Sequence, residues 1–561
     1  RIRRRQKNVP LYQTGVPREV MGLIQHYARG RRTVTIRYTK VTTGETVDRE
    51  VEPYSIRIKN TRVRGRARYF YAFCAVGRSK VVTSEGVFSL RELFSREKTD
   101  FWVQTEYGGR KCQGVSFQGE KDILRIRSDT GNNLFVTHDH CFKVVGKEGF
   151  IEWRKAVDLK DGDYLLCQKG DQGVLPENKG RSGDFWYAVG FLYGDGSRQK
   201  WKTGGENLTW LSTEGEEDAL RRVENWLKTE GYSERSESLQ GVGSLAGLKA
   251  YKSEVEQPKN SGGVRRTKKG YRIRSGHEGV TEVLEEFESQ GRWRAKGVPQ
   301  ELWKSGKKQI RAFLCGIFST DGGSSGRRVT FNTKYRRVAQ DVKRLLLYLG
   351  IPAKIQRTVW RNELSKRGAS KRYTVEVKTR EGVLRFYDNV GYEVSQKQEK
   401  RKNLEAVTRW SEKVGYPNAA PLIKSIFPEG VKGFPRDPKS KSEATAICNL
   451  RTGKTKLLAD SMIRRILDKA ESCGRDERAE AQLREYVDQD WWFDKVTKVE
   501  EWGKERVYDL VGVEGTASYV MEGAVSHNCL MHQTISMFLI DNIQNIKGTN
   551  RRYVPRWRIE F

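Results

Sequence analysis

The chain has 561 residues, with 105 Lys and Arg against 71 Asp and Glu, for a formal net charge of +34. That length exceeds one hydrophobic core and implies several domains, and no apolar run reaches the roughly 18–20 residues of a membrane span. So much positive charge asks for a polyanion, nucleic acid above all, since each neutralised phosphate releases a counterion; a merely soluble basic protein is the plainer alternative. The eight cysteines, at 74, 112, 141, 167, 315, 448, 473 and 529, form no CxxC pair, which argues against structural zinc. Free thiols suit a reducing, cytoplasmic compartment. The chain opens RIRRRQKNVP, with no Met, and reads as a fragment without a visible signal peptide.

In chain order, residues 1–73 hold 18 Lys and Arg against 5 Asp and Glu. A helical pattern at Arg18–Tyr27 is followed by the strand patterns RTVTIRYTK and RYFYAF. From 74 to about 170 short β-like runs dominate (SKVVT, ILRIRS, NLFVTHDHCFKVV, DYLLCQ), separated by the turns DTGNN and KDGD. Helix and strand patterns mix from about 184 to 400. Residues 400–490 are mostly polar, with the helical stretch KLLADSMIRRILDKA and the loop FPEGVKGFPRDPKSKS. Short strands return over 493–528 as KVTKVEEW, RVYDLVGV and ASYVMEG.

The middle region contains an internal repeat. FWYAVGFLYGDGS (185–197) matches AFLCGIFSTDGGS (312–324): an apolar helix, a central Gly, then Asp-Gly. Each copy continues as strand, Thr, amphipathic helix and Gly, in LTWLSTEGEEDALRRVENWLKTEGY and VTFNTKYRRVAQDVKRLLLYLGI. The order predicts a pseudo-twofold αβ unit with its two Asp-Gly ends side by side.

Near the far end stands AVSHNCLM (524–531), which gathers His527, Asn528 and Cys529 in a chain with only six histidines. An Asn side-chain amide can attack its own carbonyl and release the next residue, given held geometry, an oxyanion donor and a proton for the leaving group. His527 can supply the proton, and Cys529 offers a thiolate. Counterparts lie upstream: Cys74 in FCAVGRSKVVTSEGVFSLREL, Thr137-x-x-His140 in NLFVTHDHCFKV, and Asp509 in RVYDL. Together these blocks resemble an intein, over Cys74–Asn528. The resemblance implies an all-β, horseshoe-like HINT splicing domain with no cofactor. In it Cys74 attacks the Phe73 carbonyl in an N-to-S shift, assisted by His140 and Thr137, with Asp509 beside Cys74. Cys529 then captures the acyl group, Asn528 cyclises, and an S-to-N shift joins Phe73 to Cys529. Two departures stand out. Ala517 occupies a site where many inteins carry a second His, and Arg78 one where an acidic residue is common and bears on the thiol. Taken singly, each residue also fits ordinary structure, His140 as a core histidine and Asp509 as a strand-end cap.

VGFLYGDG and LCGIFSTDG further resemble the paired helices of a LAGLIDADG homing endonuclease, an α/β domain splitting the splicing domain. Gly190 and Gly316 would let the helices approach, bringing Asp195 and Asp321 together as ligands for Mg²⁺. RAKGVPQELW resembles the same family's Lys-x-x-Pro segment and places Lys296 near the metal. The implied partner is double-stranded DNA at the uninterrupted host gene, with no membrane partner.

The flanks, with EPYSIRIKN, RYFYAF and ISMFLIDNIQNI, resemble a WYL domain, a small SH3-like β-barrel. Tyr69 and Phe70 stand at its Tyr-Leu, and Arg68 replaces its Trp. That resemblance implies nucleic acid or an anionic ligand as the host's partner. The expected multidomain order is a host first part (1–73), a HINT first part (74–175), the endonuclease (184–400), an extra basic helical region serving DNA contact or spacing (401–492), a HINT second part (493–528) and the host remainder (529–561). One rival is a basic DNA-binding regulator with a splicing-competent intein and an inactive nuclease. A hedgehog-like autoprocessing protein is disfavoured by the terminal His-Asn-Cys.

Overall fold

The computed structural model describes residues 74–200, 206–213, 215–231, 244–245, 248–254, 267–275, 277–285, 294, 297–325, 327–361, 369–404, 415–428, 457–473, 476–516 and 518–527. In the flanks it describes 32–39, 46–51, 59–61, 65–67 and 543–552, and a few isolated positions besides. Phe73, Lys296, Ala517, Asn528 and Cys529 lie outside the described residues, as does most of the helix expected at Arg18–Tyr27.

Twelve strands, drawn from residues 75–168 and 491–527, form one antiparallel sheet. Chain on either side of a long insertion therefore builds a single β module. The strands used below are β1 (Ala75–Val76), β2 (Gly108–Ser128), β3 (Asn133–Thr137), β4 (Cys141–Val145), β5 (Trp491–Val513) and β6 (Ala524–His527). Their Val-, Ile- and aromatic-rich runs suit a pleated, half-buried surface. Along β2, Ile123, Leu124 and Ile126 are buried while Lys121, Arg125 and Arg127 are less so. β2 and β5 pair over most of their length, forming the spine. Sequence patterning suggested two short strands where β5 runs unbroken. Residues 503–505 separate KVTKVEEW from RVYDLVGV, but pairing runs through them, with a bulge between Glu501 and Gly503, one of three register shifts. Gly503, with φ +119°, takes up that irregularity, and such bulges let a long strand pair bend and twist.

The insertion carries the repeat. Helix α1 (Gly183–Asp195) leads into strands Gly196–Lys200 and Glu206–Thr213, then helix Glu217–Thr229; α2 (Lys307–Asp321) leads into Gly322–Ser324 and Val329–Thr333, then α3 (Arg336–Tyr348). Each half closes its own sheet, of five and four strands. α1 is buried along Phe185–Tyr193 and α2 along Gln309–Thr320, so the two form the spine of a shared apolar core. They pack backbone to backbone at the predicted glycines. A Cβ on Gly190 would run into the Phe313 carbonyl, and one on Gly316 into the Tyr187 carbonyl.

The inserted unit docks on the β module through α3. Leu347 joins the β-module core, and the buried Lys343 ammonium donates to Thr130 O (2.8 Å), Thr130 Oγ1 (2.7 Å) and Asn132 Oδ1 (2.8 Å). Of the polar region, helices Ala420–Ile426, Asp460–Cys473 and Glu477–Asp488 share a core with Val145, Leu166, Trp491, Val520 and Val525 of the sheet. In the flanks, strand Arg32–Thr39 pairs with Thr46–Val51 on one side and with Ile543–Arg552 on the other. Val34 and Ile36 are buried on one face of it. Residues more than 500 positions apart are thus neighbours in one sheet.

Candidate functional sites

Cys74 begins the β module and is fully buried. β3 continues past Val136, which pairs with Ala75, so that the Thr137 N–H donates to the Cys74 carbonyl at 3.0 Å. The Thr137 hydroxyl lies 3.3 Å from both the Cys74 amide nitrogen and its carbonyl oxygen, accepting from the one and donating to the other. That threonine therefore fixes the peptide nitrogen joining Cys74 to Phe73. A tight turn follows, with the His140 N–H donating to Thr137 O at 3.1 Å, and it brings the imidazole in behind Cys74.

His140 is fully buried, packed on the Phe142 ring at 4.8 Å. Neither of its ring nitrogens has a hydrogen-bond partner within the geometric limits among the described residues. Burial, and next the charge of His527, push its pKa down to about 3, against an opposing pull from the Cys74 backbone. At neutral pH this imidazole is uncharged. β6 brings His527 to the same place from the other end of the module: Ser526 pairs with Phe142, and the His527 ring meets Trp153 at 4.8 Å. Cys74 and His527 therefore converge on the turn at residues 138–140. His138, by contrast, points to the surface and binds Glu501 at 2.8 Å. Asp509 is buried on β5, one step beyond the Tyr508–Ala75 pair and so level with Cys74 in register.

Sequence reasoning missed Lys121, whose ammonium donates to Cys74 Sγ at 3.4 Å. Its setting, GEKD, reads as an ordinary polar turn; only the β2–β5 pairing carries it to the thiol. Arg78, the departure singled out in the sequence, is turned away into an ion pair with Glu505 and over the Phe135 ring at 4.1 Å.

The second cluster lies where α1 and α2 end. Both helices stop at an aspartate, Asp195 and Asp321, and the helix crossing sets these side by side. A carboxylate at a helix C-terminus faces the negative end of the macrodipole. Cations answer at each end. Arg294 donates to the carbonyls of Leu192, Gly194 and Gly196, and Lys397 to those of Ser319 (2.7 Å) and Thr320 (3.2 Å). Burial, then the charge of Asp321, raises Asp195 to about 6. Burial also raises Asp321, against the pull of Arg294 and Lys397. An adjoining cavity of about 400 Å³ is lined by Tyr193, Arg294, Asp321, Lys334, Lys371 and Arg372 among others.

Two carboxylates that repel one another in a partly desolvated site fit a hard divalent cation. Among the described residues no group of three or more His, Cys, Asp or Glu could hold a metal, so phosphate oxygens and water would complete its shell. Lys296 lies outside the described residues, two positions from Arg294.

Comparison with known proteins gives these sites a setting. The chain is 22% identical over 366 residues to the replication factor C small subunit of Methanocaldococcus jannaschii, covering 61% of this chain and 18% of that protein. It is 29% identical over 245 residues to the replicative DNA helicase DnaB of Rhodothermus marinus, covering 42% and 24%. The chain thus spans about a quarter or less of the length of these two relatives. Among solved structures it is similar to the homing endonuclease I-DmoI, at 16% identity and TM-score 0.24, over 40% of this chain and 98% of that one. It is also similar to a DnaB intein from Synechocystis sp. PCC 6803, at 16% identity and TM-score 0.15, over 17% and 69%. The model of the intein splicing domain matches residues 82–528, ending at Asn528 and beginning eight positions after Cys74. A match over that much of the chain shows its family: the protein belongs to the intein splicing domain family.

Proposed function

We propose that the chain is a precursor that excises Cys74–Asn528 and joins Phe73 to Cys529, and that the excised segment also cuts double-stranded DNA. The observation that carries the first reading is the grip of Thr137 on the Cys74 backbone, with His140 buried one turn further on. In the first step Sγ of Cys74 bonds to the Phe73 carbonyl carbon and the bond to the Cys74 nitrogen breaks. Thr137 holds that nitrogen in place. His140 enters as a neutral imidazole, offering a ring N–H to the developing charge, while the departing amine takes up from solvent the one proton that the thiol lost. Cys529 next takes the acyl group from Cys74. Asn528 then closes on its own carbonyl with His527 assisting, and an S-to-N shift leaves a peptide bond between Phe73 and Cys529. Asp509, level with Cys74, tunes the thiol or the exchange between thioesters.

For the second reading, Asp195 and Asp321 would hold Mg²⁺, which activates water and stabilises the leaving 3′ oxygen when bound. Lys296 orients water or offsets charge nearby. The target is the host gene without the insertion, where codons for Phe73 and Cys529 adjoin. The support for this reading is the paired Asp195 and Asp321 carboxylates at the crossing helix ends.

The flanks form one host domain, read as WYL-like, binding nucleic acid or an anionic ligand in the cytoplasm. Its support is the Arg32–Thr39 and Ile543–Arg552 pairing, which closes one sheet across the insertion. On this reading 74–175 and 493–528 form the splicing domain, 184–400 the nuclease, and 401–492 a helical accessory.

Intact-mass analysis of freshly expressed chain should give a product joining 1–73 to 529–561 and an excised 74–528. Persistence of full-length chain alone in reductant would count against splicing. Excised protein should cut a plasmid carrying the uninterrupted site in Mg²⁺ and spare one carrying the interrupted gene; equal cutting of both would sink the homing claim.

A further inference from the structure

Burial alone makes a thiol inert. Desolvation pushes Cys112 up to about 12 and Cys141 and Cys315 up to about 11, and it also raises Cys167. Cys74 is as buried as any of these, yet the proposed chemistry asks it to attack as a thiolate. Among the described residues it is the one buried thiol that accepts a hydrogen bond from a cation, Lys121 Nζ at 3.4 Å.

The local sequence keeps that cation available. In the β2–β5 register Lys121 stands opposite Glu505, the carboxylate that would ordinarily neutralise it. Glu505 is already engaged: Arg78 binds one of its oxygens and the Trp502 indole N–H donates to the other at 3.0 Å. Lys121 has no carboxylate within ion-pair distance among the described residues. Titratable groups that face this region from the other elements are Asp509 from β5, His140 from the turn and His527 from β6. Asp509 adds to burial in raising Cys112 and would oppose a thiolate, and His140 is neutral. Lys121, donating to Sγ, is a cation that favours its ionised form.

We propose that the Lys121 ammonium holds Cys74 as a thiolate for attack on the Phe73 carbonyl, making Lys121 a catalytic residue of the first step. Arg78 acts through Glu505 as a positioning residue that leaves Lys121 free for sulfur. The thiol proton goes to solvent, Sγ bonds to the carbonyl carbon, the carbon–nitrogen bond breaks, and the freed amine takes up one proton. No redox partner is needed. The proposal rests on Cys74 being the splicing nucleophile.

The test uses full-length chain carrying Asn528→Ala, so that excision is blocked and the chain stops at the thioester stage. Release of residues 1–73 by added thiol is timed from about pH 6 to pH 9.5 in the parent, in Lys121→Met and in Lys121→Arg. The parent should release at neutral pH. Lys121→Met should release about tenfold or more slowly at pH 7 and recover toward the parent rate at high pH, because its thiol ionises later. Lys121→Arg keeps a cation and should hold the parent midpoint. A Met variant with the parent's pH midpoint overturns the role of Lys121 while leaving Cys74 as nucleophile. A parent that releases nothing at any pH overturns the Cys74 reading itself, and the proposal with it. If Lys121→Met fails to fold, the Arg variant decides: a midpoint shifted upward overturns the proposal, and a retained one supports it.

Discussion

The two sites of this protein are built on opposite principles. At the β-module centre Cys74, Thr137, His140 and Asp509 are buried and His140 is uncharged; at the helix ends two carboxylates remain partly accessible and strain against each other's charge. On the proposed function the difference follows from where each reaction would find its substrate. The splicing centre acts on its own backbone, already in place, so it needs no entrance and gains from excluding water. On the proposed nuclease reading the acidic pair would have to admit a phosphodiester and a metal from outside, which suits carboxylates that stay open and electrostatically unsatisfied. On that reading one site would be finished by folding alone, and the other only by binding.

That contrast can be broken by separating the two. The largest effect is expected from Asn528→Ala: excision stops while thiol still releases 1–73, since Cys74 chemistry uses a different carbonyl. Ligated product from this variant, seen by intact mass, would remove Asn528 from the mechanism. His140→Ala should slow the first step by roughly 10²–10⁴-fold, the usual cost of losing a positioned acid or base, and leave DNA cutting by the folded protein unchanged. Asp195→Asn or Asp321→Asn should lower cleavage by roughly 10²–10³-fold, as chelator should, with splicing intact. Loss of both activities in either variant would mean that the sites are not separable.

Smaller effects sharpen the comparison. Gly316→Ala forces a side chain into the Tyr187 backbone and should cost about 1–3 kcal/mol, read by denaturant melts, with cleavage failing before splicing. The two sites should also respond oppositely to pH. Asp195, raised from 3.8 to about 6, binds its proton more tightly folded than unfolded, so its contribution to stability falls as pH rises across that window. Asp195→Asn should therefore melt higher than the parent at pH 7 in chelator, and the gain should shrink toward pH 4. His140, lowered from 6.5 to about 3, contributes stability that is present above pH 6.5 and lost as pH falls through the folded value. His140→Gln should flatten the acid side of the melting profile.

How legible this was in the sequence depended on the range of the signal. The Gly190 and Gly316 contacts could be read because helix crossing needs small residues at fixed spacing, and the repeat supplied them twice. The Thr137 and His140 cluster was legible through its short TxxH spacing, which one turn satisfies. The unbroken β5 was not, because Gly503 gives the same local signal in a bulge as in a turn. Lys121 was invisible for a stronger reason: 47 positions separate it from Cys74, and nothing in GEKD marks a lysine chosen for a thiol. Arg78 drew attention by its type, but its part, through Glu505, requires the cross-strand register. The core joining helices Ala420–Ile426 and Asp460–Cys473 to the sheet was likewise hidden, because their apolar residues are spread thinly through charged sequence.

The most direct test is to trap the first intermediate and locate its bond. Asn528→Ala precursor treated with hydroxylamine at neutral pH should yield a fragment ending at Phe73 as its hydroxamate, with the remainder beginning at Cys74, both identified by mass; no cleavage, or cleavage at another peptide bond, would contradict the central claim that the buried Cys74 opens its own backbone.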